Sequence, residues 1–181
     1  MANAVVSALA ADRRLLATAE KETGAQAVPF RATFFDKSWQ ANWLVAWHQD
    51  TALPLTSSFD ALGWGPWSNK AGILYAHAPE WALSRIVALR VYLDQSTNEN
   101  GPLRVVPGSH AAGVLTDDGV REYVQAHAQV ECPVLRGGVL TMRPLLIHAS
   151  SKSQSRNRRR VIHIEYTDAI ELKPGIRLAI A

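Results

Sequence analysis

At 181 residues, with 48% hydrophobic and 19% charged content, the chain has the profile of one globular domain that buries a core, and not of a disordered or fibrous protein. No apolar run reaches the roughly 18 residues of a membrane span, the N-terminus lacks the basic segment of a secretory signal, and the single cysteine, Cys132, excludes an internal disulfide, so a cytoplasmic setting without a membrane partner is expected. The net charge of +3 does not describe a basic face: Lys152, Arg156, Arg158, Arg159 and Arg160 hold five of the 19 basic residues, leaving 14 against 16 acidic ones elsewhere, so no nucleic-acid partner is expected.

In chain order, residues 3–23 read as a helix, with a ragged apolar stripe of Val5, Val6, Leu9, Leu15, Leu16 and Ala19. Gly24 is its stop signal, and Pro29 follows. Beyond Ala25 the pattern predicts short strands over 30–36, 42–48, 72–77, 84–94, 102–106, 129–134, 138–148 and 159–167. The stretch 51–71 reads as a long irregular loop, and 117–127 as a short helical excursion. Asn100-Gly101, Pro107-Gly108-Ser109-His110 and Arg136-Gly137-Gly138 mark reversals. One helix and about eight short strands predict a mainly β, antiparallel sandwich or barrel, of which the jelly roll suits a metal site. The expected organisation is a single domain over 1–181, with an N-terminal helix in 1–24 and a barrel over 30–168.

Trp47-His48-Gln49-Asp50 is the most informative stretch. Residues two apart on a strand share a face, so His48 and Asp50 need one more imidazole to form the 2-His-1-carboxylate triad that suits non-haem Fe(II). His148, closing Met142-Arg143-Pro144-Leu145-Leu146-Ile147-His148, is the candidate. The bland alternatives are a hydrogen-bonded His48–Asp50 pair and a core His148. Alternation would set Asn42, Leu44, Ala46, His48 and Asp50 on one face, and Leu140, Met142, Pro144, Leu146 and His148 on another, both apolar up to the ligands. Arg159 follows His148 by eleven residues, and a guanidinium there can fork onto a dicarboxylic co-substrate. Arg158 and Arg160 compete for that role from the opposite face.

Taken together, Phe35-Asp36-Lys37, Asn42-Trp43, the His48–Asp50 motif, Asn100-Gly101, Val106 to His110, Met142-Arg143-Pro144 leading to His148-Ala149-Ser150, and Arg159 to Tyr166 resemble the phytanoyl-CoA dioxygenase-like Fe(II)/2-oxoglutarate oxygenases over about residues 31–168. No one of these motifs is specific; their order and spacing are. The resemblance implies a double-stranded β-helix (jelly roll, cupin-like), with His48, Asp50 and His148 as the catalytic metal ligands for Fe(II), and 2-oxoglutarate and O2 as co-substrates. It also selects Arg159 for the distal carboxylate of 2-oxoglutarate, joined by the Ser150 hydroxyl and more weakly by Thr51. Ser150 and Thr51 are alternatively turn residues. Arg90 stands where some relatives carry an aromatic residue, and is either a second carboxylate contact or a substrate contact. The implied reaction is hydroxylation of a small molecule, since related halogenases lack the carboxylate that Asp50 supplies. A cupin-like metalloenzyme of another reaction type, or a family member that has lost turnover, is the alternative. Gln49 has no assigned role, His110 and His163 read as structural, and Trp64 and Trp67 either cover a substrate or form a loop core.

Overall fold

The structure is a computed structural model and describes residues 3–181. It begins with helices α1 (Ala4–Ala10) and α2 (Arg13–Thr23), then strands β1 (Val28–Lys37), β2 (Val45–His48), β3 (Ala52–Leu55), β4 (Trp67–Lys70) and β5 (Ile73–His77). After the short helix α3 (Glu80–Leu83) come β6 (Ile86–Tyr92), β7 (Leu103–Val105), helix α4 (Asp117–Ala126) and β8 (Val130–Cys132). The chain closes with β9 (Val139–Met142), β10 (His148–Ser150), β11 (Arg159–Thr167), β12 (Glu171–Lys173) and β13 (Ile176–Arg177). Strands order as β1-β11-β6-β9, β2-β10-β7-β8, β3-β5-β4 and β12-β13. The fold is mainly β, as expected. No helix among the described residues is long and apolar enough to cross a membrane.

Two compact units result, each discontinuous in sequence: residues up to Ala32 with Thr51–Leu89 and Ile164–Ala181, and Thr33–Asp50 with Arg90–His163. In the first, the helix expected over 3–23 is two helices. The Asp12 carboxylate accepts the Arg14 N–H at 2.9 Å, capping a second start where one continuous helix would have no use for it. Gly24 closes α2 at φ 73°. The expected loop 51–71 contains β3 and β4, both antiparallel to β5. Trp64 and Trp67 each meet the Phe59 ring edge-on at 5.2 Å, which makes them a loop core.

The second unit carries the sheet β2-β10-β7-β8 with α4 against it. Trp47 and Tyr123 pack on Val106, Val120, Val124 and Ile147, a cluster that anchors β2 beside β10. Here the strand expected over 138–148 is two strands in two different sheets. Pro144 lacks the N–H a ladder needs, and Leu146 N–H turns back to Arg143 O at 3.0 Å. The shared apolar face inferred from Leu140 to His148 therefore does not exist. Leu44, just before β2, and Ala46 within it are exposed, so the face leading to His48 is open and not a dry wall.

Candidate metal centre

β2 and β10 are antiparallel, and His148 is the direct cross-strand partner of His48. Opposed side chains in such a pair stand roughly 4.5–5.5 Å apart at Cβ, and the two rings here lie 4.2 Å apart. Asp50 follows the end of β2, held by its own N–H on Pro144 O at 2.9 Å. His48, Asp50 and His148 thereby bring three ligand atoms within 4.8 Å of one another.

The hydrogen-bond pattern decides what these atoms can hold. His48 Nδ1 lies 2.8 Å from Ala46 O, and His148 Nδ1 lies 2.8 Å from Leu146 O. A carbonyl oxygen only accepts, so in both rings Nδ1 carries the hydrogen and neutral Nε2 presents a lone pair. Both Nε2 atoms face Asp50, each 3.5 Å from a different carboxylate oxygen. Three lone-pair donors converging without a hydrogen between them repel one another, unless a proton or a metal ion sits among them. A hydrogen-bonded His–Asp pair would be shorter and would not recruit a second imidazole.

Electrostatics follow the same geometry. Burial drives His148 down to about 4, the Asp50 charge only partly opposing it, so this ring is neutral and ready to ligate. Burial also works against a charged His48, but the Asp50 carboxylate facing it raises it above its ordinary value. For Asp50, burial works upward, yet the His48 contact and the imidazoles of His148 and His163 hold the carboxyl well below the usual carboxylate range.

Beside the triad, unit two buries cations. Arg159 opens β11 with its side chain 3% exposed; its Nη2 donates to Ser150 Oγ at 3.2 Å, while Nε and Nη1 are buried without a partner. That is an empty half of a guanidinium fork, the shape that receives a carboxylate. Arg158 and Arg160 point elsewhere, onto Asp36 (Nε to Oδ1, 2.6 Å) and Asp94 (Nε to Oδ2, 2.7 Å), as alternation predicts. Lys37, which the sequence reading left without a role, is 1% exposed and donates to Ser150 Oγ at 2.8 Å and Ser151 O at 2.6 Å. Burial, with the charges of Arg159 and Arg90 adding to it, lowers Lys37 to about 8. Its parity with Phe35, one face of β1, was the signal available for it.

The remaining expected residues divide. Arg90 is buried; its Nη1 donates to His163 Nδ1 at 3.2 Å, and its Nε has no partner. Thr51 falls in the other unit, where its hydroxyl meets His77 Nδ1 at 2.7 Å. His110 is exposed in a 3-10 turn. Gln49 is buried and holds three backbone groups, donating to Gly113 O and Leu145 O at 2.8 Å and accepting Leu115 N–H at 2.9 Å. It locks the loops on either side of the triad.

An antiparallel β fold with a two-histidine, one-carboxylate cluster defines a class of mononuclear metal proteins. The chain belongs to the phytanoyl-CoA dioxygenase (PhyH) family, whose family model matches residues 3–161. It is 30% identical over 146 residues to L-proline trans-4-hydroxylase of Streptomyces griseoviridis, covering 66% of this chain and 47% of that protein. It thus spans about half the length of the curated relative it matches. EctD from S. alaskensis, crystallised with 2-oxoglutarate and 5-hydroxyectoine, superposes with a TM-score of 0.68 at 22% identity, over 93% of this chain and 54% of its own. The epimerase SnoN, solved with Fe3+, alpha ketoglutarate and nogalamycin RO, gives 0.68 at 19% identity, over 93% and 60%. These likenesses place the fold among the jelly-roll, double-stranded β-helix proteins.

Proposed function

We propose that this chain is a non-haem Fe(II)- and 2-oxoglutarate-dependent dioxygenase that hydroxylates a small molecule and releases succinate and CO2. The observation that carries the reading is the convergence of His48 Nε2, His148 Nε2 and Asp50 with both Nδ1 atoms tied to backbone carbonyls. Family membership, and the Fe and 2-oxoglutarate found with fold relatives, support the choice of ion and co-substrate.

Bound Fe(II) with 2-oxoglutarate supplies the oxidising power: one oxygen atom of O2 enters succinate as CO2 leaves, and the other enters the substrate C–H bond. The protein's own part is orientation and charge. His48, Asp50 and His148 would hold the ion, a ligand set that suits non-haem Fe(II) chemistry with a co-substrate and O2. Arg159 receives the distal carboxylate on its unpartnered Nε and Nη1. Ser150 is a positioning residue, because its single hydrogen goes to Gly101 O at 2.9 Å and its lone pairs accept from Lys37 and Arg159. Asp50, as a carboxylate ligand, would take the place that a halide would need, which favours oxygen delivery. Three of the five clustered basic residues are committed to Asp36, Asp94 and the buried pocket.

The test is anaerobic titration with Fe(II) and then 2-oxoglutarate, watching for the visible metal-to-ligand charge-transfer band. Absence of the band in folded protein overturns the reading. Once a substrate is found, product that gains one oxygen atom supports hydroxylation, and an unchanged mass points to an epimerase-type outcome.

A further inference from the structure

Lys37 is a buried nucleophile that the proposed reaction does not use. It closes β1 at 1% exposure, and its oxygen acceptors are Ser150 Oγ at 2.8 Å and Ser151 O at 2.6 Å. A neutral amine has two hydrogens and a lone pair, so it fills both acceptors and keeps the pair free. The third hydrogen of an ammonium is left, among the described residues, with the Trp43 ring, centred 5.5 Å from Nζ. The charged groups that bear on Lys37 are two cations, Arg159 and Arg90, and no carboxylate. Burial, with those charges adding to it, lowers the amine to about 8. Part of it is then uncharged near neutral pH, the state in which a lysine attacks carbon.

The surroundings of this amine suit an anion. Lys37, Arg159 and Arg90 lie on β1, β11 and β6, three neighbouring strands of one sheet. Arg159 Nη2 donates to the same Ser150 oxygen as Lys37. Arg159 Nε and Nη1, and Arg90 Nε, are buried without a partner. No fully buried acid among the described residues of this unit answers these charges. Arg159 thus holds two open donors beside an amine that shares its acceptor, and a carboxylate carried on that amine would take them. Carbon dioxide is the reagent that gives an amine such a carboxylate.

We propose that Lys37 is a carbamylation site: CO2 adds to its amine, and the carbamate takes the open donors of Arg159 and so excludes 2-oxoglutarate from them. The nitrogen lone pair bonds to the carbon of CO2, one C=O π pair moves onto oxygen, and the nitrogen gives one proton to water. Nothing is oxidised or reduced. The N–H that remains keeps one of the two acceptors, and a buried cation is exchanged for an anion beside guanidinium groups, which relieves their mutual repulsion. The competition, though not the modification, rests on the Fe(II)/2-oxoglutarate reading, which also makes CO2 a product of each turnover. Lys37 would then slow the protein where CO2 accumulates and co-substrate is scarce.

The test starts with the metal-free full chain in isotopically labelled bicarbonate at mildly alkaline pH. Carbon NMR reads the carbamate, and alkylation with triethyloxonium fixes it for peptide mass spectrometry. The expected result is one saturable carbamate that maps to Lys37 and is absent from Lys37→Arg. The mapping is done on the wild type, so a poorly folded variant does not weaken it. In protein loaded with Mn(II), a redox-stable stand-in for Fe(II), 2-oxoglutarate at about ten times its dissociation constant should raise the CO2 needed for half-labelling about tenfold. Folded wild type without a carbamate, or with one on other amines only, overturns the proposal. So does labelling of Lys37 that is unchanged while 2-oxoglutarate is shown to be bound. Failure of 2-oxoglutarate to bind, read by water-proton relaxation, sinks the oxygenase reading and the competition with it, while a carbamate mapped to Lys37 still supports the modification.

Discussion

Lys37 and Arg159 meet on one oxygen: Lys37 Nζ at 2.8 Å and Arg159 Nη2 at 3.2 Å both donate to Ser150 Oγ. Two like charges gather around a hydroxyl whose own hydrogen is committed to Gly101 O. Removing that oxygen takes the acceptor of Arg159 Nη2 and leaves Lys37 with Ser151 O alone. Ser150→Ala should therefore destabilise the protein by about 1–3 kcal/mol and weaken 2-oxoglutarate binding, while Ser150→Thr restores most of both. Denaturant unfolding and co-substrate titration check this. An unfolding midpoint identical to wild type would mean the hydroxyl organises nothing.

Arg159 and Arg158 are adjacent in sequence and opposite in role. Arg159→Ala removes a buried guanidinium with two open donors, so the concentration of 2-oxoglutarate needed should rise by the equivalent of roughly 1.5–3 kcal/mol, the range of a hydrogen bond to a charged group. Arg158→Ala breaks an ion pair with Asp36 whose Arg158 side chain is 55% exposed, which should cost under about 1 kcal/mol and leave co-substrate binding alone. The larger effect appearing at Arg158 would refute the assignment.

Metal affinity should depend on pH through His48. Its folded value is raised by Asp50, so as pH falls through that value a proton occupies the position the ion needs. Affinity is then full above it and drops about tenfold per unit below, one proton being displaced per ion. His148, lowered to about 4, contributes nothing to this slope near neutrality. In metal-free protein the sign reverses: the charged His48–Asp50 pair adds stability at low pH, which is lost as pH rises through the folded His48 value. Isothermal titration with Mn(II) across mildly acidic pH gives the slope. A flat profile there excludes His48 as a ligand.

Asp50→Ala should abolish iron-dependent conversion of 2-oxoglutarate to succinate, because it opens a coordination position and removes the anionic ligand. It need not gain halogenation. Uncoupled succinate formation, measured with and without Fe(II), is accessible before any substrate is known. Equal production by wild type and variant removes Asp50 as an essential ligand and favours a two-histidine site.

Gly101 and Gly24 both have positive φ, 67° and 73°, and differ in surroundings. A Cβ at Gly101 would lie 2.3 Å from Ser151 O and 3.3 Å from Lys37 Nζ, whereas one at Gly24 meets nothing within 4 Å. Gly24→Ala should cost only the left-handed strain of about 1–2 kcal/mol. Gly101→Ala adds a clash with backbone, and also disturbs Lys37. Parallel urea melts of the two variants should separate them; coincident midpoints would show that the loop relaxes freely.

The His48–Asp50 pair was legible because it sits at period-two spacing, and alternation along β11 set Arg159 on the opposite face from Arg158 and Arg160, the choice between the faces coming from the family spacing. The strand break before His148 was not, since the run from Val139 to His148 is apolar enough to read through Pro144. β3 was hidden for a related reason: Pro54 lies inside it and reads as loop. Lys37 escaped notice because a lysine at a strand end ordinarily marks a solvated edge, which outweighs its parity with Phe35, yet it is buried here. Gln49 points away from the ligands it separates, so pattern alone could not tell a clamp from a bystander.

His48 and His148 are joined only through a hundred residues of intervening chain, yet they face each other across one pair of strands. An ion gripped by both is a reversible cross-link over that span. A covalent closure of a loop this long would take about 4.7 kcal/mol of freedom from the unfolded ensemble. Coordination at the same two points draws on the same entropy, so the ion should hold late-forming, long-range strand pairing in place as well as serve chemistry. Iron supply would then set how long each copy of the protein survives against proteolysis.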